Sequence, residues 1–171
     1  MLSAVYAAVG QLVGEGADKI TFPVIAERAG VTPTTLYRRW PDVDALLEEV
    51  AVAALTREGE SAPDTGSLEG DLTAWALVIA QDIRRPERTR YLRAMIMARA
   101  DVVPSCPVTD RRHDQAAELV RRAQARGEST PSVEQVLDHV IAPLYHHVVF
   151  GLEVDDAYAH RLVHDLLAMV R

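Results

Sequence analysis

The stretch TFPVIAERAGVTPTTLYRRWP, Thr21 to Pro41, decides how this chain folds. It reads as two short helices joined by a tight turn. Thr21 stands at an N-cap position and Pro23 is tolerated in the first turn that follows. Gly30 stops the first helix, with Ala29 and Val31 completing the turn. Thr32 caps the second helix and Pro33 takes its favoured first position. Pro41 and Asp42 end that helix and start another. At 100° per residue, Leu36 and Trp40 cluster on one side of the second helix and are expected in a core. Thr34, Thr35 and Arg38 stand opposite, with Tyr37 and Arg39 on the flanks. Such a helix suits a major groove: its central face meets base edges and its flanks reach the phosphate walls. A plain helical hairpin with a solvated polar face has the same pattern.

Working outward, nearly everything else reads as helix. Leu2, Val5, Tyr6, Val9, Leu12 and Val13 form one apolar stripe, which Gly14 and Gly16 end. The opening segment lacks a basic leader and a cleavage pattern, so it reads as an amphipathic helix and not as a signal peptide. A helix from Val43 to about Arg57 is followed by the loop Gly59 to Ser67. Next come helices holding Leu68, Leu72, Trp75 and Ile79, and then Tyr91, Leu92, Met95 and Ile96, divided by Pro86. Asp101 to Pro107 reads as a loop and Asp110 to Arg126 as a polar helix. Ser132 caps a long apolar helix, Val133 to Phe150, and a last helix runs from about Asp155 to Val170. The expectation is an all-α protein of about nine helices, with residues 1–45 a three-helix helix-turn-helix domain and 46–171 a helical ligand-binding and dimerisation domain.

The 171 residues carry a net charge of -7 and a single cysteine, Cys106, which excludes an internal disulfide and fits a cytoplasmic protein. No run is long and apolar enough for a membrane span. The acidity argues against nucleic acid as a partner of the whole surface, but Lys19 to Pro41 carries a local net charge of +3. Screening limits distant charges to a reach of roughly 10 Å, so a local basic face still attracts phosphate.

The run IAERAGVTPTTLYRRWPDVDALLEEV, Ile25 to Val50, resembles the DNA-binding signature of the tetracycline-repressor (TetR) family. The resemblance rests on Ile25, Ala26, Ala29, Gly30, Val31, Thr35, Leu36, Tyr37, Trp40, Ala45 and Leu46, and extends over about Leu2 to Val50. The segment APLYHHVVFG, Ala142 to Gly151, with the helix after it, resembles the final two helices of one subgroup. The resemblance implies a dimeric, ligand-responsive repressor of double-stranded DNA; the residues themselves carry no motif of an enzyme, a cofactor site or a metal centre, and none is expected. The resemblance places Thr21, Pro33, Thr34, Thr35, Tyr37 and Arg39 where family members touch DNA; Thr32 and Arg38 join them from the reading above. Two departures subtract contacts: Val43 stands where members often carry a lysine, and Pro23 where some carry a polar residue.

In the larger domain, Val133, Leu137, Val140, Leu144 and Val148, with Tyr158, Leu162 and Leu166, form two apolar faces. They suit either a four-helix interface between two copies or packing on their own core. Trp75, Ile79, Tyr91, Met95, His139, Tyr145 and His146 are candidates to line a pocket for a small apolar effector, or to fill the core. Pro143 removes a backbone donor between the two histidines and is expected to open the helix there. Asp156, His160 and His164 share a face at metal-ligand spacing that solvated residues explain equally simply. No phosphate-binding glycine loop or nucleophile elbow is present. The alternative to a regulator is a helical interaction module with a degenerate helix-turn-helix.

Overall fold

The computed structural model describes residues 1–17, 19–55, 61–98 and 107–170. Among these it is all-helical: α1 Leu2–Glu15, α2 Phe22–Ala29, α3 Pro33–Tyr37, α4 Val43–Leu55, α5 Leu68–Ile83, α6 Pro86–Ala98, α7 Pro107–Ala125, α8 Val133–Val136, α9 Ala142–Phe150 and α10 Asp156–Ala168. A π-helical turn, Leu137–Ile141, joins α8 to α9 without a break, so the described chain forms nine helical rods. Cys106 and the expected loop around it lie outside the described residues, as do the helix end at Arg57 and the side chain of Met95.

The helices fall into two compact units, α1–α4 with α6, and α5 with α7–α10. The boundary read from the sequence, between residues 45 and 46, falls inside α4, which continues to Leu55 and packs with α6 in the first unit.

The first unit is built on the stripe of α1. Val5, Ala8, Val9, Leu12 and Val13 are buried, with Phe22, Ile25 and Ala26 of α2, Leu36 beyond the turn, and Leu46, Val50 and Ala51 of α4. Gly16, rather than Gly14, closes α1. At Gly10 a Cβ would stand 2.8 Å from the Tyr91 hydroxyl, so the bare backbone of α1 makes room for the end of that α6 side chain. Tyr91 therefore belongs to the core of this unit.

In the second unit, Leu72, Trp75, Ala76, Ile79 and Ile83 of α5 are buried, and α5 packs on α10, which buries Ala159, Val163, Leu166 and Leu167. The Ser132 hydroxyl accepts from Gln135 N at 3.2 Å and the Gln135 side chain accepts from Ser132 N at 2.8 Å, a complete capping box at the start of α8. Pro143 does not interrupt the rod. It lacks the N–H that would bond the preceding turn, and the helix widens just before it, with Ala142 N donating to Leu137 O, five residues back.

Asp71 is fully buried in α5. Its carboxylate accepts from Thr65 N at 2.5 Å, Thr65 Oγ1 at 2.8 Å and Arg126 Nη2 at 3.1 Å. Burial alone would raise its pKa; the bonds from Thr65 and the Arg126 charge outweigh burial and hold the carboxyl below its usual value. A lowered folded-state pKa means that Asp71 stabilises the fold fully above the unfolded value of about 3.9, and loses that effect as pH falls through the lower folded one. Replacement of Asp71 by Asn should cost about 1–3 kcal/mol at neutral pH. Urea unfolding should show this gap constant above about pH 5 and closing below about pH 3.9; a gap that widens in acid would contradict the network.

Candidate nucleic-acid interface

Thr21 and Thr32 occupy the N-cap positions of α2 and α3 with extended backbone, as the sequence indicates, but neither hydroxyl caps its helix. Thr32 Oγ1 lies 2.9 Å from Thr35 Oγ1 instead. The turn between the helices depends on Gly30, whose φ of 66° is left-handed and favours a residue without a side chain. After α3 the helical bonding continues, with Arg38 N donating to Thr34 O and Trp40 N to Leu36 O. Arg38 and Arg39 are therefore held on the same coil as Thr34 and Tyr37.

The coil has two distinct sides. Leu36 is fully buried and Trp40 is 4% exposed, while Thr32, Pro33, Thr34, Tyr37, Arg38 and Arg39 are exposed and Thr21 and Thr35 half-buried. Tyr37 is 61% exposed, yet its ring meets Phe22 edge-on at a centroid distance of 4.8 Å. That contact aims the hydroxyl outward without leaving the ring loose. Ile20, Thr21, Phe22, Pro23, Tyr37, Pro41, Asp42 and Val43 border a shallow cleft of about 310 Å³ on this side.

The cations of the stretch are not equivalent. Arg28 makes two bonds to Glu15, at 2.8 and 3.2 Å. Arg39 reaches Glu49 at 3.4 Å and lies over the Trp40 ring at 5.0 Å. Arg38 has no acidic partner among the described residues and sits on the outward face. Among the described residues, Arg38 is the positive charge of the second helix left available to an external anion.

Glu49, which no local sequence pattern marks, organises the inner side. Its carboxylate accepts from Trp40 Nε1 at 2.7 Å, from the Tyr6 hydroxyl and from Arg39, so one side chain of α4 ties α1 to the end of the recognition coil. Burial by itself would raise the Glu49 carboxyl, but the bonds from Tyr6, Trp40 and Arg39 hold it below the usual range. Burial, then the bond and charge of Glu49, push Tyr6 up to about 12. In sequence, Glu48 and Glu49 read as an ordinary charged helix face; the partners of Glu49 lie 9 and 43 positions away.

The remaining candidates separate. Trp75 and Ile79 are buried and line a cavity of about 170 Å³ with Ser61, Pro63, Val78, Arg112 and Gln115. Tyr91 packs in the first unit, and His139 and His146 are exposed rather than lining that cavity. Tyr145 is half-buried, its hydroxyl accepting from Arg112 Nε at 3.2 Å. Val140, Leu144, Val148 and Leu166 are buried within their own unit, whereas Val133, Leu137, Tyr158 and Leu162 are half-buried. The strongly exposed apolar side chains at this end are Phe150, Leu152 and Met169, which hydrophobic periodicity did not select. His160 Nδ1 is engaged by Asp156 O at 2.6 Å.

Two helices at a glycine turn, with an apolar inner side and a polar, cationic outer side, have the layout of a helix-turn-helix DNA-binding domain. Comparison with known proteins agrees along the whole chain. Residues 5–50 match the family of bacterial regulatory proteins named tetR, and residues 62–166 match the tetracyclin repressor-like C-terminal domain. The chain is 29% identical over 170 residues to the HTH-type transcriptional regulator AqdR of Rhodococcus erythropolis, covering 95% of this chain and 81% of that one. It is likewise 29% identical over 167 residues to the DNA-binding transcriptional repressor TetR of Mycobacteroides abscessus, covering 93% and 87%. A TetR-family regulator from Mesorhizobium loti superposes with a TM-score of 0.70 over 98% of this chain and 95% of that one, at 18% identity, a likeness of fold. This protein belongs to the TetR family and is a DNA-binding transcriptional regulator. Regulators of this family are generally not enzymes.

Glu49→Ala should leave the Trp40 indole and the Tyr6 hydroxyl without their acceptor, costing about 1–3 kcal/mol in chemical denaturation. Glu49→Gln should bring the Tyr6 titration down from about 12 towards its ordinary value, followed by phenolate absorbance with Tyr6→Phe as the assignment. The raised Tyr6 pKa stabilises the fold fully below about pH 10 and that effect is lost as pH rises through about 12. An unchanged Tyr6 titration in Glu49→Gln would refute the coupling.

Proposed function

We propose that this regulator is a repressor that binds a short palindromic operator as a homodimer and is released by a small, largely apolar effector held in its second unit. The observation that carries the DNA part is the outward face of the recognition coil, where Thr34, Tyr37 and the acid-free Arg38 stand exposed while Leu36 and Trp40 anchor the inner side. Arg38 and Thr34 meet base edges; Tyr37, Thr21, Thr32, Thr35 and the Pro33 end of the helix fix the register on phosphate and sugar. Arg39, shared with Glu49, contacts the backbone after giving up a weak, exposed ion pair.

Two recognition helices about 34 Å apart are needed to read two half-sites, which is the reason for a dimer. The exposed Phe150, Leu152 and Met169 and the half-buried Tyr158 and Leu162 supply apolar surface for a second copy. The AqdR and TetR relatives are named as a transcriptional regulator and a transcriptional repressor, which supports the sign of regulation. Release requires an effector that prefers a state in which the two helices no longer match successive grooves; a preference of about 3 kcal/mol shifts that equilibrium more than a hundredfold.

The test is binding of the purified protein to DNA from just upstream of its own gene, at two salt concentrations, beside a Tyr37→Ala, Arg38→Ala double variant. Wild type should bind tightly and more weakly at the higher salt. The variant should lose at least about tenfold in affinity. Absence of binding at low salt would replace this reading with that of a helical interaction module, which the net charge of -7 favours.

A further inference from the structure

Arg112, on α7, is 5% exposed and lies in the wall of the cavity formed with Trp75, Val78, Ile79 and Gln115. Its Nε donates to the Tyr145 hydroxyl at 3.2 Å and its Nη1 to Gln115 Oε1 at 2.7 Å. Both acceptors are neutral. A guanidinium is charged at any relevant pH and carries five N–H donors, so among the described residues three of them have no partner.

Two other arginines of the same unit are paired with carboxylates. Arg126 bonds Asp71 at 3.1 Å and Glu128 at 2.6 Å, and Arg122 lies 3.4 Å from Asp64 and 3.6 Å from Glu118. Each has at least two carboxylates and is more exposed than Arg112. Arg112 is the more buried, yet among the described residues it has no carboxylate partner and its cavity has no acidic lining residue. Burying a cation without a counter-charge costs free energy that neutral hydrogen bonds only partly return.

The rest of the wall is largely apolar. Trp75 Nε1 donates to the same Gln115 Oε1, at 3.2 Å, so this amide oxygen is shared and the indole offers its ring. Val78, Ile79 and Pro63 complete an apolar lining, and Ser61 and Val78 are exposed at the cavity's edge. The volume of about 170 Å³ matches a single ring, since a protein cavity of about 150 Å³ takes up benzene.

We infer that this cavity is a binding site for small organic carboxylates: the Arg112 guanidinium receives the carboxylate as a two-pronged donor, and Trp75, Val78 and Ile79 receive a ring or short alkyl body. The inference rests on the reading of the second unit as an effector-binding unit and names the chemical class of the effector. Tyr145 and Gln115 hold the guanidinium plane from behind.

The test uses the full-length protein with benzoate, phenylacetate and hexanoate, each beside its uncharged amide. Thermal unfolding with and without each probe is compared for wild type, Arg112→Met and Arg112→Lys. At least one acid should raise Tm by about 3 °C or more at saturation, and its amide should not. Arg112→Met should weaken that acid about thirtyfold or more while binding operator DNA like wild type. Without probe its Tm should be unchanged or higher, because an uncompensated buried charge is gone. Arg112→Lys, which keeps the charge without the fork, should retain a weaker response.

The assignment falls if no acid shifts Tm, if acid and amide act alike, if the acid response survives in Arg112→Met, or if that variant loses several degrees without any probe. Amide binding at the cavity would leave the effector reading standing and remove only the anionic class. Acid binding that leaves operator affinity unchanged would support the site and refute the effector reading.

Discussion

The recognition coil can present a polar face only because its other face is pinned. Leu36 and Trp40 enter the core with Ile25, Ala26 and Leu46, and Trp40 brings an indole N–H that must find an acceptor once buried. Glu49 supplies it, and the same carboxylate takes the Tyr6 hydroxyl, so helices α1 and α4 and the end of the recognition coil share one anchor. Five helical residues are too few to hold their own orientation. The outward aim of Thr34, Tyr37 and Arg38 is therefore a property of the packing behind them.

The same arrangement explains how an acidic protein carries a DNA-binding face. Glu15 neutralises Arg28 and Glu49 attracts Arg39, each on the inner or lateral side. Arg38 remains on the outward face, with the exposed Thr34 and Tyr37. Most of the negative charge lies outside Lys19 to Pro41, and salt screens it over roughly 10 Å. The net charge sets the background attraction to nucleic acid, while a few placed groups set recognition.

In the second unit, two irregularities coincide with chemistry rather than with instability. The π turn at Leu137–Ile141 absorbs Pro143 and keeps Val133 to Phe150 one continuous rod. Continuity matters because Tyr145, just beyond the proline, backs the guanidinium of Arg112. Asp71 and Arg112 are both buried charged groups, but Asp71 is surrounded by donors and an arginine, whereas among the described residues Arg112 meets two neutral oxygens. The first is a fastening of the fold; the second is an open valence.

The helical architecture and the turn are legible in the amino-acid sequence. The 3.6-residue periodicity of α1, the glycine at position 30, the prolines at 33 and 86 and the capping serine at 132 act on neighbours within a turn or two, so their meaning is local. The sequence also shows which side of the recognition helix is polar. It did not show that the first compact unit takes in α6, because Gly10 and Tyr91 meet across many residues of chain. Nor did it single out Glu49 or Arg112. Each sits among like residues on a charged helix, Glu48 beside Glu49 and Arg111 beside Arg112, and composition cannot tell a solvated charge from a buried one. The histidines drew attention as pocket residues by their spacing, yet two of them face solvent. Whether a charge meets a partner, a cavity or water depends on what distant segments bring to it, and that was decided only when the helices packed.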